Sequence, residues 1–289
     1  MICEHPLIVI GLPVYNEAPF IAQTIASLKS QDFDNFKVLI SDNCSTDESW
    51  EIINESVKAD DRFVCVQQSE NLGSAGNFNF LLHNTDSPFF MWLGAHDLLA
   101  VNYLSEILQV LQANPQISLG YSFVKWVDHG NNVLRTSNGG DFLYDQKDGL
   151  FRYLDCIRGP WAECSAVNIV FRRSAIPAVG FQPYPSTDYL ILAGAQFFGS
   201  FYRHPDALYL RRHFEKTTSG YLSKITGKAV VEKSLTSRPI VRWQLGIGYL
   251  RLYAEFPVAW YRKIIYFPRL VYCIILGNQL HKAWPLWIL

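Results

Sequence analysis

Leu7-Ile-Val-Ile-Gly-Leu-Pro-Val-Tyr-Asn-Glu17 opens on a short apolar run and ends on polar groups. An apolar run too short for a helix, closed by turn residues, reads as a strand covered on both faces, here Leu7 to Leu12. The pattern recurs at Phe36 to Ser41, Arg62 to Gln67 and Phe89 to Leu93. Helical spacing fills the gaps. Pro19 sits just inside a helix start and is followed by Phe20, Ile21, Ile25 and Leu28. Ser45, Thr46 and Asp47 offer an N-cap to a helix carrying Trp50, Ile53 and Val57. Asn71 to Asn77 reads as a glycine-bearing loop leading into a helix through Leu82, and Leu104, Ile107, Leu108 and Leu111 mark another helix. Strands alternating with helices predict an α/β fold with a mainly parallel, Rossmann-like central sheet flanked by helices.

Beyond this half the order changes. Ser118 to Val127 and Val133 onward read as a hairpin, Thr136 to Gly149 as a polar loop, and Ala166 to Arg172 as a strand. Thr187 to Phe198 reads as a helix, Leu208 to Phe214 as a late strand, and everything from Arg238 as aromatic helix. The expected division is a domain at residues 1–220 with a helical appendage at 221–289.

The chain has 289 residues, 49% of them hydrophobic and 18% charged, which suits a large core and excludes a mainly disordered protein. Six scattered cysteines without a CxxC pair, after a start lacking a basic n-region and cleavage site, lead us to expect free thiols in a reducing cytoplasm. Residues 1–202 carry 11 Lys and Arg against 22 Asp and Glu, whereas residues 203–289 carry 14 against 4. The basic end calls for an anionic partner or a solvated surface.

In an open α/β sheet, ligands bind beyond the carboxyl ends of the strands. Tyr15, Asn16 and Glu17, then Ser41, Asp42, Asn43, Ser45 and Thr46, and finally Gly94, His96 and Asp97 therefore converge. A ring beside carboxylates that can accept from a base N–H or a ribose hydroxyl makes a nucleotide pocket, although Asp42 with its neighbours is also an ordinary turn.

Leu12-Pro-Val-Tyr-Asn-Glu17, Ile40-Ser-Asp-Asn-Cys-Ser-Thr-Asp47 and Glu70-Asn-Leu-Gly-Ser-Ala-Gly-Asn77 resemble, in order and spacing, successive motifs of family 2 glycosyltransferases. The resemblance covers roughly residues 6–215. It implies a GT-A fold, a nucleotide-sugar donor, usually with Mn²⁺ or Mg²⁺, and inversion at the anomeric carbon. By the match, Pro13, Tyr15 and Glu17 line the nucleoside site and Asp42 holds the base, typically uracil. Asn71, Asn77 and Gly94 complete the donor side.

Where the family carries an Asp-x-Asp-Asp cluster, this chain has Gly94-Ala-His-Asp97. Asp97, with His96 and a third ligand from His213, is the expected metal set, with Mn²⁺ preferred because imidazole replaces a carboxylate; His96 as a turn cap is the other reading. Asn168-Ile-Val-Phe-Arg-Arg173 and Ser186-Thr-Asp-Tyr-Leu190 resemble the acceptor-side strand and the acidic motif, which makes Asp188 the general base or, in the plainer reading, a helix N-terminal acid. Arg211 and Arg212 resemble the basic segment near the diphosphate, with surface residues the alternative. Arg158, Trp161 and Glu163 are placed at the acceptor, whereas a lone Trp also serves a core.

Trp243, Ile247, Leu250 and Ala254 share one helical face near Arg242 and Arg251, and Trp260, Tyr261 and Phe267 follow. Basic aromatic helices suit a membrane interface, and no run is long enough to span. The expected place is the inner membrane face, peripherally held on anionic lipid beside a glycan or lipid-linked acceptor; a packed cap or homo-oligomer contact gives the same pattern. A non-catalytic nucleotide-sugar binder is the rival function. A dinucleotide oxidoreductase lacks its GxGxxG loop, and nucleic-acid binding lacks a recognition motif.

Overall fold

The computed structural model describes residues 5–137, 148–158, 168–184, 186–213 and 238–277. Strands β1 (Ile8–Val14), β2 (Phe36–Asp42), β3 (Phe63–Gln67) and β4 (Phe89–Trp92) pair in parallel in the order β3-β2-β1-β4. They are joined through α1 (Ile21–Lys29), α2 (Ser49–Val57) and α3 (Gly73–His83). The other half is mixed: β5 (Leu98–Leu99), β6 (Ile117–Val127), β7 (Val133–Ser137), β8 (Val170–Arg172) and β9 (Ser200–Arg212) continue the order as β8-β6-β9-β5, with β7 on β6. Here β6 and β9 are parallel, and the remaining pairings are antiparallel. A short turn such as that between β6 and β7 can join only antiparallel strands, whereas the parallel β6 and β9 are joined by a long, helix-containing connection.

Period-two alternation divides the interior. Ile8, Ile10 and Leu12 of β1 belong to the core on one face with α1 and α4 (Tyr103–Ala113), whereas Val9 faces the opposite core. Gly11 shares the side of Val9, and a Cβ there would meet Phe90 Cζ at 2.9 Å and Leu81 Cβ at 3.0 Å. The opposite core contains α5 (Gly149–Arg158), α6 (Asp188–Phe198), α7 (Arg238–Glu255) and α8 (Trp260–Gly277). Leu245, Tyr249, Leu252, Leu270 and Cys273 are buried there with Tyr153 and Leu190, so the C-terminal helices share a core with the sheet domain.

Three local expectations shift. Helix α3 starts at Gly73, so Asn77 lies on a helix. Ser45 and Thr46 fold back on the β1 exit, with Asn16 N donating to Ser45 Oγ (2.9 Å) and Thr46 N to Asn16 Oδ1 (2.8 Å). Asp47 meets both the β1 exit and the start of α2, accepting from Ala18 N at Oδ2 (3.2 Å) and from Ser49 N at Oδ1 (3.0 Å). Helix α5 begins at the last residue of the expected polar loop; the buried Leu150, Tyr153, Leu154 and Ile157 carry its period. The expected boundary at residue 220 lies outside the described residues.

Candidate donor and acceptor site

The ends of β1 and β2 meet by register. Val14 pairs with Asp42, so Tyr15 and Asn16 leave the sheet one and two residues past the Asp42 level, and Pro13 lies level with Ser41. Asp42 is fully buried and accepts from Ser45 Oγ, from Ser45 N (3.2 Å) and from Gln67 Nε2 (3.2 Å). Asn43 Nδ2 donates to Asn71 Oδ1 (2.9 Å), which also accepts from Gly73 N (2.8 Å). Ser41 Oγ donates to Asn77 Oδ1 (2.5 Å), and Asn77 Nδ2 to Ser41 O (3.0 Å). The β2 end and the α3 start are thus one hydrogen-bonded unit, and Asn71 and Asn77 enter it through their amides. Asn16 (φ 54°) and Cys44 (φ 61°) both adopt the left-handed conformation, the second without the local tolerance of Asn, costing about 1 kcal/mol or more. Such strain clusters at sites where loop shape matters.

The next strand end carries the altered acidic motif. His96 Nδ1 lies 3.2 Å from Glu17 Oε1, joining the β1 and β4 loops. Asp97 is buried; its Oδ2 accepts from Tyr209 OH (2.6 Å) and its Oδ1 from Arg212 N (2.8 Å). Gly94 is required for this fold-back, because a Cβ there would stand 2.9 Å from Asp97 Oδ2.

Arg212 does not sit as a phosphate ligand should. It is buried, and all five N–H groups are taken: Nε by His96 O (3.0 Å), Nη1 by Asp128 O (2.8 Å) and His129 O (2.9 Å), Nη2 by Gln23 Oε1 (3.1 Å) and Asn131 Oδ1 (2.8 Å). Its guanidinium stacks over Phe20 at 4.5 Å. It clamps the β6–β7 turn to the β4 loop, whereas Arg211, one residue away on the other side of the strand, stacks over Trp126 at 4.9 Å and interacts with Asp188.

His213 is exposed, its N–H bonded to Val127 O (2.8 Å) and its ring edge-on to Trp126. Among the described residues no three His, Cys, Asp or Glu side chains gather as a metal set. With both Asp97 oxygens engaged as well, these residues do not fit a resident Mn²⁺ or Mg²⁺ held by Asp97, His96 and His213 together.

Asp188 opens α6, two residues after Ser186, which adopts the left-handed conformation (φ 66°). Removal from water pushes its carboxyl up to about 6, against the opposing charge of Arg211 and its own helix-start amides. Tyr249 from α7 is near enough for the carboxylate to help raise its hydroxyl, mainly through burial. Arg158 ends α5 with its side chain outside the described atoms, and Trp161 and Glu163 lie outside the described residues.

Sequence reading passed over Gln67, Tyr209 and Tyr249. The first two carried a signal: Gln67 ends a strand beside Asp42, and Tyr209 alternates with Leu208 and Leu210 on a strand. Tyr249 carried none, since only the packing of α7 brings it to Asp188.

The profile described as Glycosyl transferase family 2 matches residues 9–180. An uncharacterized glycosyltransferase of Haemophilus influenzae is 26% identical over 184 residues, 64% of this chain and 69% of that protein. The Escherichia coli UDP-Glc:alpha-D-GlcNAc-diphosphoundecaprenol beta-1,3-glucosyltransferase WfaP is 28% identical over 116 residues, 40% of this chain and 45% of the relative. This chain thus matches less than half the length of that named enzyme. Staphylococcus aureus TarS 1–349 in complex with UDP superposes with a TM-score of 0.64 at 14% identity, covering 95% of this chain and 72% of that one. The Pyrobaculum calidifontis mannosyltransferase PcManGT, solved with GDP-Man and Mn²⁺, gives 0.55 at 15% identity, covering 97% and 89%. These likenesses show the GT-A fold. With the sheet order, the motif-bearing strand ends and a profile match over more than half of the chain in agreement, this protein belongs to glycosyl transferase family 2.

Proposed function

We propose that this glycosyltransferase moves a sugar from a nucleotide-sugar donor, UDP-linked, to a hydroxyl of a glycan or lipid-linked acceptor with inversion, in cell-surface polysaccharide synthesis. The observation that carries the reading is Asp188, a carboxyl raised to about 6 by burial at the start of α6, with the charge of Arg211 acting on it. The acceptor oxygen bonds to the anomeric carbon as the bond from that carbon to the phosphate oxygen breaks. The hydroxyl proton passes to Asp188, and the electron pair leaves with the nucleoside diphosphate. A base with a pKa just below working pH is mostly ionised and still a useful proton acceptor. Tyr15, Pro13, Glu17 and Asp42 hold the nucleoside, Arg211 meets the diphosphate charge, and Arg212 positions the loops around it. No step is assigned to a metal ion. The transferase unit is residues 1–220, and Arg158, Trp161 and Glu163 are retained as acceptor candidates.

The support for UDP and for lipid-linked acceptors is the company the chain keeps: TarS was solved with UDP and with UDP-GlcNAc, and WfaP acts on a diphosphoundecaprenol acceptor. A donor panel scored for nucleoside diphosphate release, followed by the anomeric configuration of the product, tests the proposal. Release from a UDP-sugar with inverted product is expected; retention of configuration sinks it. One observation favours a second reading, a non-catalytic nucleotide-sugar binder: Asp97, the remaining carboxylate of the acidic motif, is spent on Tyr209 and Arg212. Donor binding without release under every acceptor condition would select it.

A further inference from the structure

Helix α8 is apolar on two faces: Leu270 and Cys273 are buried in the core, and a second face of large apolar side chains is exposed. A helix on a water-soluble surface turns its apolar stripe inward and its charges outward. Here one apolar row faces the core and the partly exposed cations pair back onto the protein: Arg262 Nη2 with Asp148 Oδ2 (2.6 Å), beside the start of α5, and Arg269 Nη2 with Asp155 Oδ1 (3.2 Å) on α5 itself. Lys263 Nζ donates to Ala254 O near the end of α7 (2.6 Å). The opposite side carries Tyr261, Ile264, Ile265, Tyr272 and Ile275, all exposed, with Ile264 at 65% and Ile265 at 64%. Trp260 stands at its start, 73% exposed. On α7 the row of Trp243 (76% exposed), Ile247 and Leu250 also faces solvent, with Arg251 beside it.

We infer that these two helix faces dock on a lipid bilayer surface and insert shallowly at the boundary between headgroups and acyl chains. Three observations select lipid over a second protein copy. Large apolar side chains are left in water on two successive helices, far beyond scattered surface leucines. Their aromatic members are Trp and Tyr, whose rings and polar edges suit the headgroup level. Between residues 238 and 277 Glu255 is the one acidic residue against six Lys and Arg, so the surface does not repel anionic headgroups. Among the described residues no helix is long and apolar enough to cross a membrane, so the helices lie on the bilayer.

The mode differs from the charge-driven anchoring expected from composition. Arg262 and Arg269 are already paired with Asp148 and Asp155, and Lys263 is engaged with a carbonyl, so apolar insertion carries the attachment and charge only biases it. Binding should therefore survive salt.

Flotation of the full chain with vesicles tests this. Neutral phosphatidylcholine vesicles should carry the protein at an ionic strength of about 1 M, where the Debye length is about 3 Å. The double change Ile264→Asp and Ile265→Asp should lower the bound fraction about tenfold or more. Its melting temperature and its donor turnover on a soluble acceptor should stay unchanged, so a failed inference is separable from a failed functional reading. Trp243→Ser with Trp260→Ser provides an independent variant if the first misfolds. Binding to anionic vesicles alone, lost in salt, overturns the apolar mode. No binding to either vesicle, or a dimer dispersed by the same substitutions, overturns the lipid surface.

Discussion

The β1–β2–β4 sheet edge and the α7–α8 pair treat polarity in opposite ways. At the sheet edge, polar side chains are drawn inward and satisfied by one another: Asp42 by Ser45 and Gln67, Asn43 by Asn71, Asp97 by Tyr209 and Arg212. In the helix pair, a second row of large apolar side chains is left exposed beside the buried one, while Arg262 and Arg269 pair with carboxylates of the protein. A hydrophobic period identifies a helix face but not the medium it meets. The same amphipathic stripe can face a core or a bilayer, and only the position of the neighbouring element decides.

The largest expected effect belongs to a polar group removed from water, Asp188 at the start of α6. Asp188→Asn keeps the shape and removes the proton acceptor, so transfer should fall by about a hundredfold to ten-thousandfold while UDP affinity holds. In the parent enzyme the rate should fall as pH drops below about 6, tracking protonation of Asp188, and the variant should lose that limb. Stability moves the other way. This carboxyl has its folded pKa raised above the unfolded value, so the folded state binds more protons between about pH 4 and 6, and stability declines as pH rises through that window. Asp188→Asn should therefore raise the melting temperature at pH 7, removing a penalty on the order of 2 kcal/mol. A variant that melts earlier and transfers normally would place the carboxylate outside the chemistry.

Asp97→Ala comes next. It strands the Tyr209 hydroxyl and the Arg212 amide in the interior, at a cost of about 1–3 kcal/mol for each orphaned group. Calorimetry should show a clear loss of stability whether or not divalent cations are present. A protein of unchanged stability that has lost its activity would restore Asp97 to a direct role.

Gly248→Ala sharpens the comparison at its junction. The new Cβ would stand 2.6 Å from Leu190 Cδ1 on α6, forcing the helices apart at a cost of about 1–3 kcal/mol. Because Leu190 lies two residues beyond Asp188 on α6 and burial is the main cause of the raised Asp188 carboxyl, the acid limb of the pH profile should shift as well. An unmoved limb would mean that α7 does not shape the environment of the base. The smallest effect belongs to Arg269→Ala, since the pair with Asp155 is partly exposed and worth less than about 1 kcal/mol. Salt titration of the melting temperature should detect it if anything does, and a loss of several kcal/mol would make α8 a structural clamp.

Much of the first half was legible because its signals are local. Strands covered on both faces are continuous apolar runs, and their carboxyl ends must carry the site, so Asp42, Tyr15 and Asp97 were named from position alone. Register then placed Val14 beside Asp42, as parallel neighbours with a crossover helix should lie. Helix α5 was missed since a polar stretch masked its start, although its apolar spacing is in the chain. The two arginines mark the limit. Arg211 and Arg212 are equivalent by composition, but alternation along β9 sends one toward Asp188 and buries the other among carbonyls.

Short-range order therefore determined, from the sequence alone, the α/β class, the family motifs and the strand ends where a nucleotide would lie, because strand and helix periods and turn residues act over a few positions. The tertiary structure alone decided that Asp97 is bound by Tyr209 and Arg212 and that burial raises the Asp188 carboxyl. It likewise decided that Tyr249, remote in sequence, is buried in one core with Leu190 of α6, and that a second set of large apolar side chains on the C-terminal helices stays exposed. Burial and pairing are properties of neighbours brought together from distant positions, and no local pattern records them.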